Sequence, residues 1–254
     1  MIYFDNAAST AVHPEVVKEM LPYFDVQYGN PSSIHQFGRK AKNAVQKARK
    51  QVAALIGAEP DEITFTSGAT ESNNTIFLGC PKFQGNEFGL NHIITSSIEH
   101  DAVLEPVRGF EKNGVQVTYL PVDEHGLVNP DDITKSINEK TTIVSIMFAN
   151  NEVGTIQPIK EISKICNKYQ IPLHTDAVQA AGKVPINVKE LGIDALSISS
   201  HKINGPKGVG ALFIKKGFAV EAIIEGGGQE NGMRSGTENV ASIVGFGKAC
   251  EIAK

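Results

Sequence analysis

Lys202 lies in the stretch SISSHKINGPKGVGAL, residues 197–212, between His201 and a turn where an apolar run ends. A lysine attacks a carbonyl only as the neutral amine, and burial or a nearby positive charge moves it toward that form. A lysine that merely solvates a turn needs no such setting, and that plainer description suits Lys207. Asp176 closes another apolar run, in HTDAVQAAGK. A buried carboxylate needs a cation or a capping role. Asp176 is therefore either the N-cap of a following helix or the partner of a positively charged ring nitrogen. FTSGATESNN, residues 65–74, is a small-residue turn that opens a helix. The free N–H groups of such a helix start bind phosphate, and the hydroxyls of Ser67 and Thr70 can add to them. No Gly-Lys-Ser/Thr follows, so this is not a Walker A loop. An ordinary strand–turn–helix with a serine cap explains the same residues equally well. His100, after another strand end, can stack on a flat ring.

Each of these features is weak alone. Together they ask for one ligand with an aldehyde, a phosphate, a basic ring nitrogen and a face to stack upon. Pyridoxal phosphate has all four, and its ring acts as an electron sink.

The elements that must position these residues alternate along the chain. Helices are expected over HPEVVKEMLPYF, RKAKNAVQKARKQVAALIG, ATESNNTIFLG, DAVLEPVRGFEKNG, NPDDITKSI and IKEISKICNKYQ. Pro106 is expected to bend or interrupt the fourth. Strands are expected over EITFT, HIITS, VQVTYLP, TTIVSIMF, IPLHT, ALSIS and VGALFIK. Helices between apolar strands predict an α/β fold with a mostly parallel sheet covered on both faces. Ligands bind beyond the carboxyl ends of such strands, which is where the polar residues fall.

With 254 residues the chain can form one large domain or two small ones. Its net charge of −4 offers no general attraction to nucleic acid or anionic membrane. No apolar run is long enough to span a bilayer, and MIYFDNAAST does not read as a signal peptide, so a cytoplasmic location is expected. The six basic residues of RKAKNAVQKARK read as a solvated helix face, and GGGQENG reads as a flexible turn. Cys80, Cys166 and Cys250 form no CxxC pair. Cys166 shares a helical face with Ile162 and Ile165 and reads as a small buried hydrophobe. The histidines show no HxH or HExxH spacing for a metal.

Eight stretches in order from residue 3 to residue 240 carry a resemblance to a known family: YFDNAAST, GNPSSIH, FTSGATESNN, SSIEHDAV, ANNEVGTIQPI, HTDAVQAAGK, SSHKINGPKGVGAL and GGGQENGMRSGTENV. The sequence resembles the cysteine desulfurases of the NifS/IscS type, in the class V branch of fold-type I pyridoxal phosphate enzymes. The resemblance implies a large domain built on a mostly parallel seven-stranded sheet. It implies that Lys202 bonds the cofactor aldehyde, Asp176 pairs with the pyridine nitrogen, and His100 stacks on the ring and assists proton transfer. Gln179 would meet the phenolate oxygen, and Ala69, Thr70, Ser199 and His201 would hold the phosphate. Asn151 would lie near the ring and the substrate carboxylate, and Thr237 would reach the phosphate of a partner subunit across a homodimer.

The same resemblance implies an organisation of residues 1–15 as an N-terminal segment of a small domain and 16–254 as the large cofactor-binding domain. The C-terminal part of the small domain, with its sulfur-accepting cysteine loop and substrate-clamping arginine, is expected to be absent. The implied reaction takes L-cysteine to L-alanine with sulfur passed to an acceptor, for iron–sulfur clusters or thio-cofactors, with a scaffold protein as partner. Alternatives are a related selenocysteine lyase or aminotransferase, or a non-catalytic fragment that only binds the cofactor.

Overall fold

Apolar runs separated by helices build a single sheet in the computed structural model, which describes residues 2–80 and 91–254. Its strands are β1 (Ile63–Thr66), β2 (His92–Ser96), β3 (Gln116–Leu120), β4 (Thr141–Ser145), β5 (Leu173–Asp176), β6 (Ala195–Ser199) and β7 (Gly210–Ile214). They lie in the order β1-β7-β6-β5-β4-β2-β3. All neighbours from β6 to β3 are parallel, whereas β7 runs antiparallel to both β6 and β1. Parallel neighbours need a long crossover, usually a helix, and the return over residues 200–209 contains only a short 3-10 turn, Ser200–Lys202. Two reversals point β1 the same way as β6. The carboxyl ends of β1, β2, β4, β5 and β6 therefore share one edge of the sheet.

The helices are α1 (Pro14–Met20), α2 (Pro22–Asp25), α3 (Gln36–Ile56), α4 (Ala69–Leu78), α5 (Asp101–Lys112), α6 (Pro130–Ser136), α7 (Ile159–Lys168), α8 (Val188–Leu191) and α9 (Val240–Ala253). Side chains alternate across a strand, and the buried residues divide accordingly. Ile93, Ile143, Ala195 and Leu212 pack with Ile76 and Phe77 of α4 and Val103 and Val107 of α5. Their neighbours Ile94, Val144, Leu196 and Phe213 face the opposite way, into the cluster that holds α3, α7 and α9. The central strands are thus buried on both faces, as the α/β expectation requires.

Three local expectations change. The first helix divides at Pro22, which has no N–H to continue the ladder. Helix α5 is not interrupted at Pro106 but continues through it, with Val103, Leu104 and Val107 buried around it. Tertiary packing of an apolar face outweighs the lost hydrogen bond there. The run 141–148 keeps strand geometry only to Ser145, although the Phe148 N–H still donates to the Asp176 carbonyl at 2.8 Å.

The basic stretch of α3 needs a correction. Arg39, Lys40, Lys42, Lys47 and Lys50 are exposed, but Arg49 is buried. Arg49 makes a two-pronged ion pair with Glu230, both bonds at 2.7 Å, and also donates to the Ile63 carbonyl. The Phe65 N–H donates to the same Glu230 carboxylate at 2.8 Å. The GGGQENG segment is therefore pinned to β1 and α3 through Glu230, which corrects its reading as a flexible turn.

Candidate functional site

Beyond the shared strand edge lies a cavity of about 610 Å³. Ala69, Thr70, His100, Asn151, Asp176, Gln179, Ser199, His201 and Lys202 all line it. Thr237 does not. It lines a smaller neighbouring cavity of about 230 Å³ that shares Ser67 and Gly208 with the first.

The turn after β6 aims Lys202. The N–H groups of Ile203 and Gly205 both donate to the Ser200 carbonyl, at 3.0 and 3.1 Å. Asn204 occupies the left-handed region at φ 63°, which asparagine tolerates better than most residues. Gly205 is required by space, since a Cβ there would stand 2.0 Å from Ser200 Oγ. Ile203 is buried and anchors the turn. The N-terminal segment then crosses the cavity mouth. Thr10 donates twice to the His201 carbonyl, and Asn204 donates to the Ala11 carbonyl. Lys202 Nζ donates to the carbonyls of Ala7 and Ala8, the latter at 2.9 Å. Burial holds the Lys202 ammonium below the usual lysine range, while Asp5 and Asp176 pull the other way. It is thus eased toward the amine form that attacks carbonyls. Lys207 also lines the cavity but is exposed, in keeping with the expectation for it.

Asp176 ends β5 in a buried position. Its Oδ1 accepts from the Val178 N–H at 3.0 Å and its Oδ2 from Asn73 Nδ2 at 2.7 Å. Burial raises its pKa, opposed by those two donors and by His100 and Lys202. The segment that follows is a series of turns, so the N-cap alternative falls away. No lysine or arginine among the described residues forms an ion pair with this carboxylate.

The FTSGATESNN turn opens α4 without a side-chain cap, which disposes of the serine-cap alternative. Glu71 accepts from the Ser67 N–H at 2.9 Å and pairs with Arg234. The turn lies directly against β7: a Cβ on Gly210 would stand 2.8 Å from the Gly68 Cα. His100 caps α5, its Nδ1 accepting from the Ala102 N–H at 3.0 Å. Gln179 donates to the Ala7 carbonyl at 2.9 Å and accepts from Lys183. Asn151 donates to Glu152 at 2.8 Å. His201 Nδ1 lies 3.3 Å from Ser9 Oγ, and burial with the charges of Lys202 and Lys207 lowers its pKa. Ser199 is buried at the strand end.

These residues fit pyridoxal phosphate on the chemistry of the donors alone. The buried carboxylate lacks a cationic partner, which a protonated ring nitrogen would supply. The uncapped start of α4 offers N–H groups to a phosphate, and Lys202 is the amine for the aldehyde. Sequence reasoning missed Asn73, Glu71, Arg234 and Glu99, all of which act by contact with residues distant in the chain. Among the described residues no cluster of histidine, cysteine or carboxylate side chains could hold a metal.

All three cysteines are buried and none lines the cavity. Burial, with Asp194 nearby, pushes the Cys166 thiol up to about 12, and burial raises Cys250 likewise. Thiolate is the reactive form. The native chain is therefore expected to resist a thiol-specific maleimide at pH 7.5 and to take up the reagent at three sites after denaturation. Rapid native labelling of Cys166 or Cys250, read by intact mass, would contradict this.

The sequence matches the aminotransferase class-V family over residues 2–254. It is 55% identical over 252 residues to a cysteine desulfurase IscS of Dictyoglomus turgidum, covering 99% of this chain and 64% of that protein. The chain thus spans less than two thirds of that relative's length. Among solved structures, a NifS-like protein superposes with a TM-score of 0.96 at 46% identity, over 99% of this chain and 69% of that one. A structure described as SspA in complex with cysteine superposes with a TM-score of 0.95 at 42% identity, covering 99% and 72%.

Proposed function

The chain belongs to the aminotransferase class-V family, a family of pyridoxal phosphate enzymes, and from that premise we propose that it forms the cofactor-binding part of a cysteine desulfurase. What carries the reading is the convergence of Lys202, Asp176 and the uncapped start of α4 on one cavity. Similarity to cysteine desulfurases and to a structure described as holding cysteine supports L-cysteine as the substrate.

Bound in the cavity, pyridoxal phosphate supplies an electron sink for bonds around an amino acid's α-carbon. The chain supplies the rest. Asp176, oriented by Asn73 and the Val178 N–H, would pair with the ring nitrogen. Ala69 and Thr70, at the uncapped start of α4, would hold the phosphate together with Ser199 and His201. Lys202 would hold the cofactor through its aldehyde, and the same amine is placed to carry a proton. His100 would stack on the ring, Gln179 would meet its phenolate oxygen, and Asn151 would lie near the ring and the substrate carboxylate. Thr237, outside this cavity, serves the equivalent site of a second copy in a homodimer. Residues 16–254 would form the large domain and 1–15 would belong to a smaller domain, with Asp5, Ala7 and Ala8 at the cavity. A cytoplasmic setting and a protein acceptor such as an iron–sulfur scaffold complete the reading. Because the described cysteines are buried away from the cavity, the sulfur acceptor is none of the three.

The test is the visible spectrum of the purified chain, incubated with pyridoxal phosphate and desalted, before and after L-cysteine. A retained cofactor band that changes with L-cysteine, and not with L-alanine, supports the reading. A cofactor band indifferent to L-cysteine would overturn the substrate. Larger changes and turnover with L-selenocysteine would favour a lyase for that amino acid instead.

A further inference from the structure

Behind the cavity wall lies a carboxyl group that the scheme above does not use. Glu99 is buried, one residue before His100, between the ends of β2 and β4. Its Oε1 accepts from Ser96 Oγ at 2.6 Å and from the Met147 N–H at 2.8 Å. Ser96 ends β2, and Met147 lies just past β4 and lines the cavity. A second link runs alongside, from Asn150 Nδ2 to the Ile98 carbonyl at 3.0 Å. Asn150 Oδ1 in turn accepts from the N–H groups of Glu152 and Val153, shaping the loop that carries Asn151.

We propose that Glu99 is a positioning residue that fixes the His100 wall of the cavity against the Met147–Asn151 wall. The proposal rests on reading the cavity as the cofactor site. Without Glu99 the Met147 N–H would be a buried donor with no partner, and the β2 and β4 ends would lose their shared acceptor.

The group does this as the neutral acid. Glu99 Oε2 is buried and has no hydrogen-bond partner, which an ionised carboxylate tolerates poorly. The groups that face it are the Ser96 hydroxyl from β2, the Met147 N–H from the β4 end, and the Asp176 carboxylate from β5, with His100 next along the chain. Burial, with Asp176 repelling a second negative charge, pushes the Glu99 carboxyl up to about 8. A neutral Glu99 removes the negative charge that would otherwise face the Asp176 carboxylate.

Glu99→Gln keeps the acceptor and replaces the protonated oxygen with an amide. Glu99→Ala removes both. In the cofactor-free chain, the Met147 amide is expected to exchange with deuterium about tenfold faster in Glu99→Ala and at the wild-type rate in Glu99→Gln. With cofactor, Glu99→Ala is expected to weaken pyridoxal phosphate binding by about tenfold and Glu99→Gln by less than about twofold. Wild-type affinity should fall as pH rises through about 8, and Glu99→Gln should lack that fall. Unchanged Met147 exchange in Glu99→Ala overturns the tie between the walls. Unchanged cofactor affinity in Glu99→Ala, or Glu99→Gln as damaged as Glu99→Ala, overturns the positioning role or the neutral acid respectively. A wild-type chain with no affinity for pyridoxal phosphate sinks the cofactor reading, and with it the positioning toward that cofactor.

Discussion

Lys202→Ala is expected to abolish covalent retention of pyridoxal phosphate. After incubation, borohydride reduction and denaturation, the wild-type chain should gain the mass of one reduced cofactor and Lys202→Ala none. The cavity holds a second lysine, Lys207, so Lys207→Ala is the control and should still be labelled. The two differ in surroundings. Lys202 is partly buried, its amine eased toward neutrality, and it points into the space bounded by Asp176 and the N-terminal segment. Lys207 also lines the cavity but is exposed. Only a neutral amine attacks the aldehyde, so desolvation selects between them. Asp176 and the start of α4 remain in Lys202→Ala, so weak, dialysable binding should persist. Full labelling of Lys202→Ala would show that another lysine reaches the aldehyde, and labelling lost only in Lys207→Ala would reverse the assignment.

Glu230→Ala is expected to destabilise the chain by about 3–5 kcal/mol, because it leaves the Arg49 charge buried without a partner. For a domain of this size that loss corresponds to a drop in melting temperature of about 10 °C. Arg49 and Glu230 are 5% and 8% exposed, so little solvent is available to replace the lost pair. Glu230 also accepts from the Phe65 N–H and holds φ near 50°, with Asn231 at 57°. The ion pair thus keeps two non-glycine residues in a region that is otherwise unfavourable. The arginine further lies over the Phe65 ring, 4.8 Å from its centroid. Replacing both partners with apolar residues, Arg49→Met with Glu230→Leu, should recover much of the loss, since a buried pair is costly mainly when broken. A melting temperature within a degree or two of wild type for Glu230→Ala would refute the argument.

The α/β architecture and the line of strand ends were legible without coordinates because both follow from short-range pattern. Ile93 and Ile94, or Leu196 and Phe213, announce strands by apolar content within a few residues. Lys202, Asp176 and the SGAT turn stood out because each interrupts such a run at its end. The same short range explains the errors. Arg49 sits among exposed lysines in sequence and looks like one of them. Its partner is 181 residues away, and no local pattern carries that distance. Pro106 breaks a helix by local rule, yet the apolar contacts of α5 keep the helix whole.

The sequence by itself determined which groups were available: an amine, a carboxylate, a small-residue helix start and an imidazole, each at the close of an apolar run. Tertiary structure alone decided their states. It laid the Ala7 and Ala8 carbonyls on Lys202, set Asn73 against Asp176, left Glu99 Oε2 without a partner, and kept Thr237 outside the cavity. The reason is physical. Chain periodicity depends on neighbours a few residues away, whereas desolvation and hydrogen-bond satisfaction depend on whatever surrounds a group in space.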